Sequence, residues 1–395
     1  GLEITQADVL ARYYREKGDK DVFFLTGTDE NSLKNVLAAE KSGLATREFV
    51  DRISPKFRRL KDILNLSFDD FIRTTEKRHV DGVEKLWEAC KADIYKKKYR
   101  GLYCVGCETF YLPKDLPGGL CPEHKVKPEA VEEENYFFRL SKYEKWLYRL
   151  VASGKVEVIP EKRKNEVLSF IKHGLEDFSI SRSAERAKGW GIKAPGDPSQ
   201  VIWVWFDALA NYITALGYAK NASRFRDFWQ NNKNIIHLIG KGVSRFHAVY
   251  WPAMLKSAGL NLPKKILVHG YITVGGEKMS KSLGNFISPN EVVEKYGAEP
   301  VRYYLLREIP SGEDGDFSDS RFRERYNADL ANGLGNFVSR VSALAKKFGS
   351  YEIIPRRLES NVKLEVKRAG RLVDVKIGAF RLNEALAAVW DLVFY

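Results

Sequence analysis

The chain has 395 residues and a formal net charge of +13, with 44% hydrophobic and 12% aromatic residues. These values exclude a disordered polypeptide, and the length exceeds what one core holds, so about two to four domains are expected. No apolar run reaches the roughly 18 residues that would span a bilayer, and the opening GLEITQADVLARYYREKG is too charged for a secretion signal.

In chain order, ITQADVLARYYREKG places apolar residues at Ile4, Ala7, Val9, Leu10 and Tyr14, which predicts a helix closed by Gly18. VFFL (22–25) reads as a short buried strand and TGTD as its exit loop. Helices are expected from there to about residue 92. From 93 to about 165 the chain turns rich in Gly, Pro and Cys and loses helical period, the texture of an inserted module. VIWVWFDALANYITAL (201–216) predicts a buried strand that turns helical at Asp207. IIHLIGKG and KILVHGYITV predict two more buried strands, each leaving through a glycine-bearing turn, where open α/β sheets take ligands. From about 322 the pattern is helical to the end. Helix, strand and loop in this alternation predict a parallel α/β sheet.

Three of the four cysteines cluster: Cys104-x-x-Cys107, then thirteen residues, then Cys121-x-x-His124. Two paired ligands on two tight turns can close a tetrahedron around Zn²⁺. Three thiolates and an imidazole fill all four positions, so the zinc expected here is structural and ties together an insert too small to own a core. A redox CxxC would open a helix after a strand, and YCVGCETFYL does not fit that setting. Cys90 falls outside the spacing and is expected to be a buried apolar residue.

GEKMSKSLGN (276–285) sets Lys278 and Lys281 around Met279 and Ser280, with glycines on both sides. Flexible ammonium groups can follow the charge of a triphosphate as it is cleaved. The Walker A spacing is absent. Taken as bare chemistry, a solvated basic loop is the stronger reading. The basic excess of the whole chain suits a polyanion such as RNA or DNA.

KMSKS is also the signature loop of class I aminoacyl-tRNA synthetases. HGYITVGGEKMSKSLGN, RFHAVYWPAMLKSAGL, FLTGTDEN, EEENYFFRLSKY, NEVLSF, VWFDALANYITALGY, VRYYLLREIPSGEDGDFS and NADLANGLGN resemble the methionyl-tRNA synthetase family, in order and over essentially the whole chain. The resemblance implies an α/β fold: a Rossmann-type parallel-sheet catalytic domain (1–92 and 166–272) split by a zinc-bearing insert (93–165). A KMSKS-bearing segment (273–321) then leads to an all-α anticodon-binding bundle (322–395). It implies a cytoplasmic methionine–tRNA ligase that activates L-methionine with ATP and Mg²⁺ and esterifies it to tRNA(Met). The partner of the basic charge is then tRNA, with neither DNA nor a membrane involved.

Carried over by motif, Lys278, Ser280, Lys281, Gly240 and His247 face ATP, with the two lysines on the departing pyrophosphate. Asp29 takes the methionine ammonium. Trp205, Ala208, Leu209, Tyr212, Val243 and His247 form the methionine pocket. The first four of these are spaced near i, i+3, i+4, i+7 and can share one helical face; by spacing alone such a stripe reads as core. Asn336 and Arg340, four apart on one helix, face the anticodon.

Four features depart from the family pattern. The His-x-Gly-His segment and its strand belong ahead of Gly1, and the chain has no Met start, so preceding sequence is expected. Asn31 and Ser32 stand where His and Gly are commoner. Gly242 stands where many relatives carry an Asp that touches the ATP ribose. The chain stops at Tyr395, short of the family's anticodon-stacking Trp, while Trp390 is expected in the core. Were the His-x-Gly-His segment truly missing, the alternative is a catalytically inactive tRNA- or RNA-binding relative.

Overall fold

The computed structural model describes residues 1–18, 21–106, 109–111, 113–279, 287–348 and 359–395. The helix Leu2–Glu16 follows the apolar spacing and stops before Gly18, which turns into the left-handed region at φ +94°. Strand β1 is Leu25–Thr28 and β2 is Asp70–Arg73, paired in parallel. Both correct the sequence reading. The backbone of Phe24 is held by Asp69 (N–H to Oδ2 2.7 Å, and C=O from the Asp69 N–H 2.8 Å), so strand pairing begins only at Leu25. Gly27 permits it, because a Cβ there would lie 2.0 Å from the Ile72 carbonyl oxygen. The stretch around 70–73, expected to be helical, is too short for its period to separate strand from helix. The helix Lys77–Ala89 follows it.

Strands β3 (Ile94–Cys104), β4 (Thr109–Tyr111) and β5 (Glu129–Phe138) build an antiparallel module. Here the basic run 96–100 is answered by an acidic one: Lys98 lies opposite Glu134, Tyr99 opposite Glu133 and Arg100 opposite Glu132. Residues 140–165, expected within the insert, instead return to the main sheet. The helix Glu144–Ala152 buries Leu147, Leu150 and Val151 in the main core, and β6 (Glu157–Ile159) pairs in parallel with the strand Lys265–His269. A three-residue strand carries no readable period.

Strand β7 (Phe178–Ser179) caps the module sheet. Strands β8 (Ser181–Ser183), β9 (Lys193–Ala194) and β10 (Asp197–Ile202) form a small antiparallel sheet, so the run at 201 does not join the parallel sheet as expected. Its helix begins at Val204, three residues before Asp207. Strands β11 (Ile236–Gly240) and β12 (Lys265–His269) are parallel, in the order β11-β12-β6. Strands β13 (Ile272–Val274), β14 (Glu277–Lys278) and β15 (Gly315–Asp316) make a second small sheet.

After β15 the described residues form the helices Asp319–Arg325, a π-helical stretch Tyr326–Gly335, Asn336–Lys347, Ser360–Gly378 and Leu382–Phe394. Trp390 is buried against Tyr303 as expected. No helix among the described residues is long and apolar enough to cross a membrane.

Candidate active site

One wall of the site comes from the segment after β10. Trp205 stacks on Phe246, with ring centroids 4.0 Å apart and planes 15° from parallel. Two turns on, the Tyr212 hydroxyl lies 2.8 Å from His247 Nε2, and His247 Nδ1 lies 3.0 Å from the Val243 carbonyl. A carbonyl only accepts, so Nδ1 donates to it and Nε2 accepts from Tyr212. Burial lowers the His247 pKa to about 4, keeping the ring neutral, and burial pushes the Tyr212 hydroxyl upward. Beneath them the Tyr212 ring covers His237 at 4.0 Å, and Trp251 Nε1 donates to His237 Nε2 at 3.2 Å. Burial, then the neighbouring His247, depresses the His237 pKa well below its ordinary value. The result is a polarizable, uncharged wall of indole, phenol and neutral imidazole. Such a surface favours a thioether and penalises a charged side chain.

Of the residues expected in a methionine pocket, Trp205, Tyr212, Val243 and His247 come together here. Ala208 is buried one turn after Trp205, and Leu209 lies in the main hydrophobic core. Asp29 is exposed at the exit of β1. Phe246, Trp251 and His237 were missed. The aromatic at 246 beside His247, and the Trp four residues after His247 on the same helical run, were the available signals.

At the exits of the parallel strands, Gly240 closes β11, and a Cβ there would lie 3.5 Å from His269 Nε2. Lys241 Nζ pairs with Asp314 at 2.6 Å. A Cβ on Gly242 would lie 2.2 Å from the Tyr271 hydroxyl. The phenol therefore fills the space that an acidic side chain at 242 would need. Gly275 and Gly276, at φ +63° and +81°, turn the chain from β13 into β14, where Lys278 pairs opposite Thr273. The Gly276 N–H donates to Asp316 Oδ1 at 2.9 Å, tying this hairpin to β15. The Lys278 side chain, Ser280 and Lys281 lie outside the described residues.

In the module, His124 Nδ1 lies 4.0 Å from Cys104 Sγ and 3.8 Å from Cys121 Sγ, and the three ligand atoms fall within 4.8 Å of one another. Zn–S and Zn–N bonds of about 2.3 and 2.0 Å give a tetrahedral S···N edge of about 3.5 Å, so the residues fit such an ion. A Cβ on Gly106 would press on the His124 ring at 2.6 Å, so only glycine fits that turn. Cys107 lies outside the described residues. Cys90 is buried elsewhere, and burial raises its thiol to about 12, which makes it inert. Asn336 and Arg340 are both exposed on the helix Asn336–Lys347.

A parallel α/β core interrupted by an antiparallel module, with a glycine-turned lysine hairpin beside the strand exits, is the plan of a class I tRNA synthetase. The family model for tRNA synthetases class I (M) matches residues 2–129 and 113–342, and the chain belongs to that family. The methionine–tRNA ligase of Thermotoga maritima is 43% identical over 399 residues, covering 98% of this chain and 62% of its own length. That of Brucella suis biovar 1 is 47% identical over 351 residues, covering 87% of this chain and 67% of its own. A structure of Mycobacterium tuberculosis methionyl-tRNA synthetase bound by methionyl-adenylate matches with a TM-score of 0.91 at 40% identity, covering 100% of this chain and 78% of that one. The apo form of the same enzyme gives 0.83 at 36%, covering 100% and 76%. The chain thus spans about three fifths of the length of the curated relatives from Thermotoga maritima and Fusobacterium nucleatum (62% and 61%).

Proposed function

We propose that this chain is the catalytic part of a methionine–tRNA ligase, which forms methionyl-adenylate from L-methionine and ATP and transfers the methionyl group to tRNA(Met). The observation that carries this reading is the neutral wall of Trp205, Phe246, Tyr212 and His247, suited to a thioether and set beside the glycine-bearing exit of β11. In the first step the methionine carboxylate attacks the α-phosphorus. The bond to the bridging oxygen breaks and pyrophosphate leaves with the electron pair. Asp29 holds the ammonium. Lys278 and Lys281 neutralise the leaving pyrophosphate, with Ser280, Gly240 and His247 along the nucleotide and Mg²⁺ on its phosphates.

The Rossmann-type domain of this reading comprises the parallel strands and their helices. Cys104, Cys107, Cys121 and His124 would hold a structural Zn²⁺ that cross-links the module tip. The geometry of three of the four ligands supports this. The helices after 322 would be the anticodon-binding part, with Asn336 and Arg340 toward the bases. Their exposure on one helix leaves them available to RNA.

Amino-acid-dependent ATP–pyrophosphate exchange, run across the standard amino acids on the full-length protein, tests the reading. Exchange with methionine alone is expected. No exchange, or exchange driven by another amino acid, overturns it, and no exchange with retained tRNA binding would install the inactive relative in its place.

A further inference from the structure

The proposed methionine site draws its two ends from distant parts of the chain, Asp29 after β1 and the wall at 205–212. A buried polar chain joins them. Asn31 Nδ2 donates to Asp207 Oδ2 at 2.7 Å and to the Thr74 carbonyl at 3.1 Å. The second oxygen of Asp207 meets His79 Nε2 at 2.5 Å, and His79 Nδ1 meets Thr214 Oγ1 at 2.8 Å. Asp207, His79 and Thr214 have no solvent exposure. Gly82, on the same helix as His79, makes the approach possible, since a Cβ there would lie 2.4 Å from Thr214 Cγ2.

On the other side of the loop, the Glu30 carboxylate is 2% exposed and accepts from Thr28 at 2.8 Å, Arg73 at 2.7 Å and Thr75 at 2.5 Å. Trp190 Nε1 donates to its carbonyl at 2.8 Å. Of the two residues after Asp29, Glu30 is therefore fastened to the β2 side, and Asn31 bridges that side, at the Thr74 carbonyl, to the helix that carries the wall. Asp207 lies between Phe206 and Ala208, two residues from Trp205.

For stability alone, apolar side chains would serve as well as a buried carboxylate and imidazole. What the polar chain adds is a fixed distance.

We propose that Asn31, His79 and Asp207 are positioning residues that set the separation between Asp29 and the aromatic wall, and so the length of side chain the site accepts. The proposal rests on the methionine reading above. The amino acid is gripped at its ammonium and at its far end, so a loop held 2.7 Å from Asp207 leaves room for one chain length. Freed from Asp207, the loop can settle nearer or farther, and homologues one methylene shorter or longer gain access.

The test is pyrophosphate exchange on the full-length protein with methionine, S-methylcysteine and ethionine. Asn31→Ala removes both side-chain bonds, to Asp207 and to the Thr74 carbonyl, from a half-buried loop residue and is expected to raise the methionine KM about tenfold, with the ATP KM unchanged. Its preference for methionine over the two homologues should fall about fivefold. His79→Leu should do the same, while His79→Gln, which keeps a donor for Asp207, should retain the preference. Unchanged preference in an active Asn31→Ala variant overturns the positioning role alone, as does a parallel rise of both KM values. Absence of methionine-dependent exchange in the unaltered protein overturns the functional reading and this proposal together.

Discussion

His247 and His124 are each gathered with partners into a polar cluster, yet the two clusters are held by different forces. His247 is 5% exposed, with fully buried Trp251 and Val249 on its own helical run. Packing fixes its ring, and the same packing strips its water and keeps it neutral. His124 is exposed, whereas its thiol neighbours Cys104 and Cys121 are buried. The turn at Gly106 shapes that knuckle, and its imidazole side faces water. Burial alone can hold the pocket wall together, whereas the knuckle needs a cross-link, which a bound Zn²⁺ would supply.

The contrast can be broken most directly at Trp251. Trp251→Ala removes a fully buried indole and its bond to His237, and should cost about 3–5 kcal/mol in urea unfolding. A loss under about 1 kcal/mol would mean that packing does not hold the wall. Acidification is the next probe. The folded pKa of His247 is about 4 against an ordinary 6.5, so the unfolded chain takes up the proton first as pH falls. This contribution is complete above about pH 6.5 and is lost toward pH 4, by up to about 3 kcal/mol, with His237 acting in the same direction. Urea midpoints measured between pH 7 and 4.5 check the slope, and His247→Gln should flatten it.

Tyr212→Phe leaves the buried His247 Nε2 without its donor. About 1 kcal/mol of stability and a roughly fivefold higher methionine KM are expected, with the ATP KM as the internal control. The smallest effect on global stability belongs to the knuckle. A chelator should leave the main unfolding transition in place while exposing residues 104–124 to protease. A chelator that shifts the main transition would join the two regions into one cooperative unit.

How much of this was legible in the sequence varies with the range of the interaction. The ligand spacing at 104–124 is local, and three of its four residues, Cys104, Cys121 and His124, lie together, while Cys107 falls outside the described residues. The first helix, β11 and β12 were legible because their patterns are long or mostly apolar. Strand β2 was not, because four residues carry too little period. The end of the module was missed for the same reason, since β6 has three residues and a polar approach. The proposal of a methionine pocket rests on whole-motif similarity. A stripe at 205, 208, 209 and 212 reads as core by spacing, and Leu209 does sit in the core.

The sequence by itself determined the first helix, the two strands β11 and β12, the metal-type ligand spacing and the lysine motif, since each is written within about twenty consecutive residues. Only the tertiary structure decided that His79 and Asn31 converge on Asp207, across 128 and 176 positions, and that Tyr271 fills the space over Gly242. Such contacts follow from how whole elements pack. Packing depends on which faces become buried against one another, and no local pattern in the chain records that choice.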